Sequence, residues 1–435
     1  MFKKSRLADY LFYLLIFALP LQLRHVFARP EGSLGNMGPL FNEWLSIALF
    51  VTDLILIAFL FLHYWQSGWP HFSRKDYLLG VFLVYALASL FIAEDFWLSL
   101  SRALLLLLWV GFGLAATSYW QDTKQRLIAL RVLGISGVVQ AIIAIGQNWL
   151  QADLGLRWLG ETVLRSNLNG VAVVPLESGD LLRSYGVLPH PNILAVFLLA
   201  ALWAWLYLIL NPATSEVPQK KRSLFLRNFG YLALPLIFYA WLATFARGVI
   251  GVGLLTGLLA VWFARFKFWK VAVGRRILAV TLLAGIIFLI FNWSAALARV
   301  TLSPDEQAVS MRLTYNQIGA NALRQAPWLG VGVGSFVAWL QTHQPDLPLW
   351  AYQPVHNLYL LIATEIGLIG GCALIAWLAW LLYALIQRLF WQLMPLIAFM
   401  LIGLFDHFFW TSRQGGLLFW LVIGWSRAGK ESFNI

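Results

Sequence analysis

Residues 357–385 read NLYLLIATEIGLIGGCALIAWLAWLLYAL, an apolar run in which Glu365 is the single charged side chain. A helix that spans a bilayer needs about 20 predominantly apolar residues, and this run is longer. An ionised carboxylate inside a bilayer is costly, so Glu365 must face protein or water. The stretch therefore predicts a transmembrane helix with a polar contact in its interior.

The whole chain shares this composition. Of its 435 residues, 60% are hydrophobic and 11% are charged, and the mean hydropathy is +0.74. Soluble domains average roughly 45–50% apolar residues and about 25% charged residues. Long unbroken apolar runs favour helices over barrel strands. We predict an all-α polytopic membrane protein, residues 1–435 forming a single transmembrane domain of about twelve helices. The predicted spans are 7–23, 41–62, 77–93, 99–119, 127–150, 190–210, 229–246, 248–264, 276–295, 357–385, 390–407 and 415–426.

The basic residues predict how the chain is oriented. If the loops alternate sides from an inside N-terminus, 19 of the 31 Lys and Arg residues fall inside and 11 outside, as the positive-inside rule requires. This bias predicts that both termini are cytoplasmic, and it explains most of the net charge of +12 without nucleic acid as a partner. All nine Lys lie inside or at inner edges. The outer cations are all Arg, whose planar fork matches phosphate oxygens, which hints at a phosphate-bearing ligand outside.

Two predicted outer loops are long, residues 151–189 and 296–356. Loops of this length without structure of their own are uncommon, so we expect both to fold. The turn NLNG at 167–170 suggests a small hairpin in the first loop. In the second, a helix that lies on the membrane is expected, ending at Pro327. Its cap would be Ser303 or Asp305, and one side would carry Met311, Tyr315, Ile318 and Ala322.

His356 is the first candidate for chemistry. Pro354 fits the first turn of a helix, which would place His356 in the opening turn at the outer surface. A helix N-terminus disfavours imidazolium, so a neutral ring could act as a general base; a hydrogen bond to a loop carbonyl is the alternative role. Asn357 and Glu365 share a face of the same helix. For Glu365, a structural role in the bundle is favoured over catalysis.

Three arginines and a second histidine are further candidates. Arg247, in TFARG, is held between two predicted spans, where it could bind a ligand or extend to the lipid surface. Arg312 lies on the predicted loop helix, where a lipid-headgroup contact is the simpler role. Arg183 and His190 frame RSYGVLPHPN before the sixth span. Arg183 could contact phosphate, His190 fits a structural turn, and Asn192 could cap the span.

The remaining polar motifs indicate structure. GVGVG at 330–334 lacks the strand-to-helix context of a dinucleotide loop, so close backbone packing is predicted. Asp406 and His407, at the outer end of the eleventh predicted span with Arg413, fit a hydrogen-bonded structural pair. The single cysteine, Cys372, excludes an intramolecular disulfide. We predict neither a metal site nor a cofactor.

Five stretches together resemble the O-antigen ligase and O-antigen polymerase superfamily of bacterial polytopic membrane glycosyltransferases. They occur in the order of that family over about residues 180–420, and the first five spans match by hydropathy alone. Ala246 stands where the family often has Ser. The stretches are RSYGVLPHPN, TFARG, MRLTYNQIGANALRQAPWLGVGVGSF, HNLYLLIATEIGLIG and DHFFWTSRQGG.

The resemblance implies a fold like that of the C-type (GT-C) glycosyltransferases in the bacterial inner (plasma) membrane, with the active site facing the periplasm. Such enzymes transfer a glycan from undecaprenyl diphosphate to an acceptor, without a metal; inversion is the simplest stereochemistry. It implies that His356 is the base and that Arg247 and Arg312 hold the diphosphate. To these we add, as candidate substrate-binding residues, Arg183, His190, Asn357 and Glu365.

The acceptor stays open at this point. Ligases use lipid A–core, polymerases use another repeat unit, and relatives glycosylate proteins. We expect an O-antigen ligase that acts on lipid A–core, in lipopolysaccharide biosynthesis of the cell envelope. A lipid-linked sugar transporter or flippase is the alternative from another class. It should show paired repeats and broken helices, and neither is evident in the sequence.

Overall fold

The computed structural model describes residues 6–28, 43–69, 74–210, 220–270, 272–300, 307–348, 351–386 and 390–428. These residues are mostly helical, with fifteen α-helices and four short strands. The first ten elements are α1 (Leu7–Ala18), β1 (Arg24–Ala28), β2 (Ile47–Phe50), α2 (Val51–Ser67), α3 (Tyr77–Ala88), α4 (Phe96–Gln121), α5 (Thr123–Leu150), β3 (Val173–Val174), β4 (Leu181–Leu182) and α6 (Pro191–Leu210).

In the second half, the regular elements among the described residues are all helices. They are α7 (Lys220–Ala243), α8 (Arg247–Lys270), α9 (Ala272–Val300), α10 (Gln307–Gln325), α11 (Phe336–His343), α12 (Leu358–Ile386), α13 (Phe390–Ile402), α14 (Phe408–Thr411) and α15 (Arg413–Arg427). Short 3-10 helices lie at Glu43–Leu45, Arg74–Asp76, Ser89–Ile92 and Arg157–Leu159.

A helix occupies each predicted span, which confirms a helical membrane protein. Five helices, α4, α5, α6, α9 and α12, are long and apolar enough to cross a membrane. Six shorter helices, α1, α2, α3, α7, α8 and α13, are also apolar. Twelve crossings therefore remain a prediction.

Several helix ends differ from their predicted positions for local reasons. α1 ends at Ala18, two residues before Pro20, which has no backbone N–H with which to continue the helix. The second span was expected from residue 41, but residues 47–50 form β2, which pairs antiparallel with β1. α13 ends at Ile402, which leaves Asp406 and His407 in the connection to α14.

The helices pack around a large apolar core. α12 packs on α3, α15 on α4, and α5 on α6. Much of α9 remains exposed and apolar, as expected of a helix facing lipid. α13 packs on α6, α8 and α12, and it thereby brings these four helices together in one region.

Both long loops contain structure. β3 pairs with β4 as a small antiparallel hairpin, but its turn is residues 175–180 and not NLNG. The helix predicted in the second loop is α10, and its proposed caps Ser303 and Asp305 lie outside the described residues. Its apolar side, with Tyr315 and Ala322, packs on α12 and neighbouring loop residues. That side therefore faces protein. The apolar side is not free to rest on the membrane surface, so the expectation of a helix lying there is wrong in this respect.

Two helices are interrupted. Gly367 breaks α12 with φ +83°, and Asn292 breaks α9 with φ −129° and ψ 25°. At Gly367 the backbone of Trp328 occupies the space of a side chain, and the N–H of Leu368 donates to the carbonyl of Pro327 (2.9 Å). The sequence-based argument that broken helices are lacking is therefore wrong.

The segment 330–334 packs against this break, as its glycines predicted. The N–H groups of Val331 and Gly332 donate to the carbonyls of Thr364 and Glu365, both at 2.9 Å. Gly330 has φ +72°, and a Cβ there would overlap the same backbone. The glycines therefore permit close packing.

Candidate active site

His356 lies immediately before α12. The Oδ1 atom of Asn357 accepts the N–H groups of Tyr359 and Leu360, both at 3.0 Å, so Asn357 is the N-cap. The expectation that Pro354 opens the helix is wrong, and His356 stands outside the first turn. Asn357 thus sets where α12 begins and holds the backbone next to His356.

Three side chains surround the His356 ring. Its centroid lies 4.9 Å from that of His407 and 5.8 Å from that of Tyr315. The Nδ1 atom is buried and has no hydrogen-bond partner among the described residues. Asp406 lies close enough to His356 and His407 that one ligand atom from each falls within 4.8 Å of the others. The ring therefore has unused hydrogen-bonding capacity beside a carboxylate.

A chain of hydrogen bonds connects that carboxylate to Arg183. Arg183 donates from Nε to the carbonyl of Thr244 and from Nη2 to Oδ1 of Asn192, both at 2.8 Å. Asn192 then donates from Nδ2 to Oδ2 of Asp406 (2.8 Å). The capping role expected for Asn192 falls instead to His190, whose Nδ1 accepts the N–H of Asn192 (3.1 Å). Asn192 thus joins an arginine to an acid.

Arg247 begins α8. The turn before it is made by Phe245, whose φ of +48° is uncommon for a residue other than glycine; Gly248 itself is helical. The Nη1 atom of Arg247 donates to the carbonyl of Arg299, at the end of α9 (3.4 Å). A guanidinium at a helix N-terminus adds its charge to the positive end of the helix dipole, which favours an anion there.

Three guanidinium groups act on a fourth, that of Arg183, in this region. Burial lowers the pKa of Arg183 to about 9, and the charges of Arg299, Arg312 and Arg247 contribute to that decrease. Only nearby charges repel strongly enough to do so. An anion with more than one negative charge would relieve this repulsion.

The histidines here favour the neutral form. Burial lowers the pKa of His356; Arg312 lowers it further, while Asp406 raises it. Burial also lowers the pKa of His190 and of His407 to about 3 each. Burial raises the pKa of Asp406, but its histidine neighbours and the Asn192 amide outweigh that, so its pKa lies below the usual value. The site thus contains neutral imidazoles beside an ionised carboxylate.

His356, Asp406 and His407 could together hold a metal ion, by their ligand types and spacing. Two observations disfavour this use. The oxygens of Asp406 already accept hydrogen bonds, Oδ1 from the N–H of His407 and Oδ2 from Asn192, both at 2.8 Å. The charge of Arg312 also acts on His356 and would repel a cation. We retain the expectation of no metal.

Glu365 has a different environment from His356. Its Oε2 atom accepts the N–H of Gly334 and Nε1 of Trp410, both at 2.6 Å, and Oε1 accepts the N–H of Phe336 (3.3 Å). These three donors connect α12 to the 330–336 segment and α14. The contacts fit the structural role favoured from the sequence.

The structure groups most of the predicted residues and adds others. Arg312 acts on His356, both act on His190 together with Arg183, and Arg247 acts on Arg183, while Asn357 caps the helix that follows His356. Sequence reasoning missed the link that Asn192 makes between Arg183 and Asp406, the position of Arg299 and the participation of Asp406. The signal available for Asp406 was a charged residue at the end of an apolar run, which is costly unless it has a partner.

Comparison with known proteins locates a family within this region. Residues 232–375 match the model of a family described as O-antigen ligase, which confirms the resemblance predicted from the sequence over about a third of the chain. The match includes Arg247, Arg299, Arg312 and His356, whereas Arg183, Asn192 and Asp406 lie outside it. No curated protein matches the chain.

Proposed function

We propose, with the O-antigen ligase domain at residues 232–375 as the premise, that this chain is an O-antigen ligase. It would transfer a glycan from undecaprenyl diphosphate to a hydroxyl group of lipid A–core, at the periplasmic face of the bacterial inner membrane. The observation that carries this proposal is the partly buried imidazole of His356, whose Nδ1 atom has no partner among the described residues, beside Asp406 and in the field of Arg312.

The arginines would bind the diphosphate of the donor. Arg247 and Arg312 are the residues implied by the family, and Arg183 and Arg299 complete the positive region. Guanidinium forks match pairs of phosphate oxygens. As the bond from the sugar to the diphosphate breaks, negative charge grows on the leaving oxygen, and fixed positive charge stabilises it.

His356 would remove the proton from the acceptor hydroxyl. The acceptor oxygen attacks the anomeric carbon of the donor sugar, a new carbon–oxygen bond forms, and the bond to the diphosphate oxygen breaks with inversion. The proton passes to the imidazole, and the diphosphate leaves with the bonding electrons. Asp406 would stabilise the imidazolium that forms, in the manner of an acid beside a catalytic histidine.

The acceptor distinguishes this proposal from its alternatives. An O-antigen polymerase would use the hydroxyl of another lipid-linked repeat unit, and a protein O-oligosaccharyltransferase would use a Ser or Thr hydroxyl. A lipid-linked sugar transporter would not break the bond between glycan and diphosphate. The same imidazole and arginines would serve all three transfer reactions.

A reconstituted transfer reaction tests the proposal. The purified protein in nanodiscs, with EDTA present, is incubated with an undecaprenyl diphosphate-linked glycan and lipid A–core, with more lipid-linked glycan, or with an acceptor peptide. We expect glycosylated lipid A–core from the wild type. His356→Ala should lower the rate about 10²–10⁴-fold, the usual contribution of a general base.

His343→Ala is the matched control, because His343 is a partly exposed histidine of the same loop segment. It should retain activity. A fully active His356→Ala protein would refute the assignment of the base. Polymer or glycopeptide as the sole product would show that the acceptor is not lipid A–core. A loss of activity in EDTA would refute metal independence.

A further inference from the structure

A cavity of about 610 Å³ lies away from His356, which does not line it. It is open on one side and is bounded by the end of α5, the β3–β4 hairpin and the interrupted part of α9. Its size is within the range of small-molecule sites. The lining side chains that matter below are Asn148, Trp149, Ser178, Asp180, Phe291 and Asn292.

The floor of the cavity is a closed ring of hydrogen bonds. The hydroxyl of Tyr239 donates to Oδ1 of Asn148 (3.1 Å), Nδ2 of Asn148 donates to Oδ1 of Asn292 (3.3 Å), and Nδ2 of Asn292 donates to the Tyr239 hydroxyl (3.3 Å). Two of these residues come from membrane-length helices. The ring fixes a neutral polar surface where α9 is interrupted.

One wall is an aromatic surface held in position. The Nε1 atom of Trp149 donates to the hydroxyl of Tyr239 (3.1 Å), yet the side chain remains 67% exposed. Phe291 is 70% exposed nearby. A fixed aromatic face that remains open suits the apolar C–H face of a sugar, because it packs without further loss of side-chain freedom.

The mouth carries polar groups without partners. Ser178 and Asp180 are exposed, and within the described part of the chain neither side chain has a recorded hydrogen bond or ion pair. Among the residues that the structure describes, neither Lys nor Arg lines the cavity, in contrast to the arginine-rich site. A carboxylate without a neighbouring cation repels phosphate, so the ligand should be uncharged and rich in hydroxyl groups.

Two elements, β4 and α9, lead from the cavity to the arginine region. Leu181 lines it, the N–H of Leu182 donates to Oε1 of Gln151 (2.7 Å), and Arg183 follows directly. Asn292 precedes Arg299 on α9 by two turns, about 10 Å. The exposed Leu150 and Trp293 lie beside it on α5 and α9, which suits a ligand anchored in the bilayer.

We infer that this cavity binds sugar residues of the lipid-linked donor glycan, beyond the sugar whose anomeric carbon reacts. The inference rests on the proposed function. Trp149 packs against a sugar ring, Ser178 and Asp180 accept or donate hydrogen bonds to hydroxyl groups, and the amides form the polar floor. The cavity thereby favours donors that carry a complete glycan.

Donors of two lengths test the inference. KM and kcat are measured with undecaprenyl diphosphate carrying one sugar and with the same carrier bearing several sugars, for the wild type, Trp149→Ala and Asp180→Asn. Trp158→Ala is the control, because Trp158 is 69% exposed on the same outer segment but does not line the cavity. We expect each cavity variant to raise KM for the longer donor, by about tenfold for Trp149→Ala, and to leave the one-sugar donor unchanged.

The possible failures can be distinguished. A wild type that transfers neither glycan refutes the proposed function itself. If the wild type is active and Trp149→Ala matches Trp158→Ala on both donors, the cavity does not bind glycan. Equal increases in KM for both donors would also overturn the inference, because the cavity would then act on the carrier or on folding.

Discussion

The imidazole of His356 experiences two opposite charges. Asp406 raises its pKa and Arg312 lowers it, while burial sets the overall decrease. A general base must be neutral to accept a proton, so activity should fall as pH decreases through the pKa of His356. That acidic limb should lie below 6.5, the ordinary value for histidine.

Removing either charge should move this limb in a predictable direction. Asp406→Asn removes the charge that raises the pKa, so the limb of kcat/KM should shift to lower pH. Arg312→Gln removes a charge that lowers the pKa, so the limb should shift to higher pH. The measurement is kcat/KM against pH for both variants, with Arg324→Gln as the control, since Arg324 is exposed on the same helix. Shifts in the same direction would contradict the electrostatic arrangement.

A substitution at Arg247 can test the geometry of the guanidinium group while the charge stays constant. Arg247→Lys keeps one positive charge at the start of α8 but loses the planar fork that matches phosphate oxygens. We expect kcat/KM to fall about 10- to 100-fold, the loss of one charge-assisted hydrogen bond of about 1.5–3 kcal/mol. Arg157→Lys, on the outer 3-10 helix, should retain its activity. Full activity of Arg247→Lys would contradict bidentate diphosphate binding.

At the scale of elements, the junction of α12 with the 327–336 segment determines the geometry near His356. α12 breaks at Gly367 so that the backbone of Trp328 can approach, and Glu365 connects the same turn to Trp410. Trp410 belongs to α14, which follows Asp406 and His407 directly. This junction therefore holds the α12 side of the site against the α14 side.

Gly330→Ala should disturb this junction. Gly330 and Gly170 both have positive φ, +72° and +84°, but a Cβ would meet the backbone of Glu365 at Gly330 and nothing nearby at Gly170. Gly170→Ala should cost about 1–2 kcal/mol from the left-handed conformation alone. Gly330→Ala adds an overlap and should lower the melting temperature in detergent clearly more. Equal melting temperatures would show that the packing at Gly330 is not tight.

At the scale of the molecule, the predicted topology places the candidate site and the lysines on opposite sides of the membrane. The candidate site lies at the ends of helices predicted to be outside, and the nine Lys are predicted to be inside or at inner edges. An enzyme using a lipid carrier in the outer leaflet requires this orientation, because the diphosphate remains at the membrane surface while its hydrocarbon tail stays in the bilayer.

Cysteine labelling tests that orientation. In a Cys372→Ser background, Glu177→Cys lies in the first long loop and Lys124→Cys at the start of α5, both exposed positions. A membrane-impermeant maleimide applied to spheroplasts should label Glu177→Cys and should label Lys124→Cys only after permeabilisation. The reverse pattern would place the candidate site in the cytoplasm and exclude the proposed periplasmic transfer.

The sequence by itself determined the class of protein, the positions of the helices, and the family-like residues Arg247, Arg312 and His356. Apolar run length and composition fix the class and the approximate helix positions, because a bilayer tolerates backbone in its core only when it is hydrogen-bonded internally. The three residues came from the resemblance to a family. The close packing of 330–334 was also predictable, since glycine is the residue that fits such approaches. Signals of this kind are local in the sequence, so they can be identified without the tertiary structure.

Only the tertiary structure decided which polar residues meet. Asp406 is distant in sequence from Asn192 and Arg183, yet one amide joins them; nothing within any single segment encodes that contact. The break in α12, the protein contact of α10 and the cavity beside Trp149 also depend on neighbours from other helices. The physical reason is that a hydrogen bond or a packing contact is set by distance in space, whereas hydropathy is read along the chain.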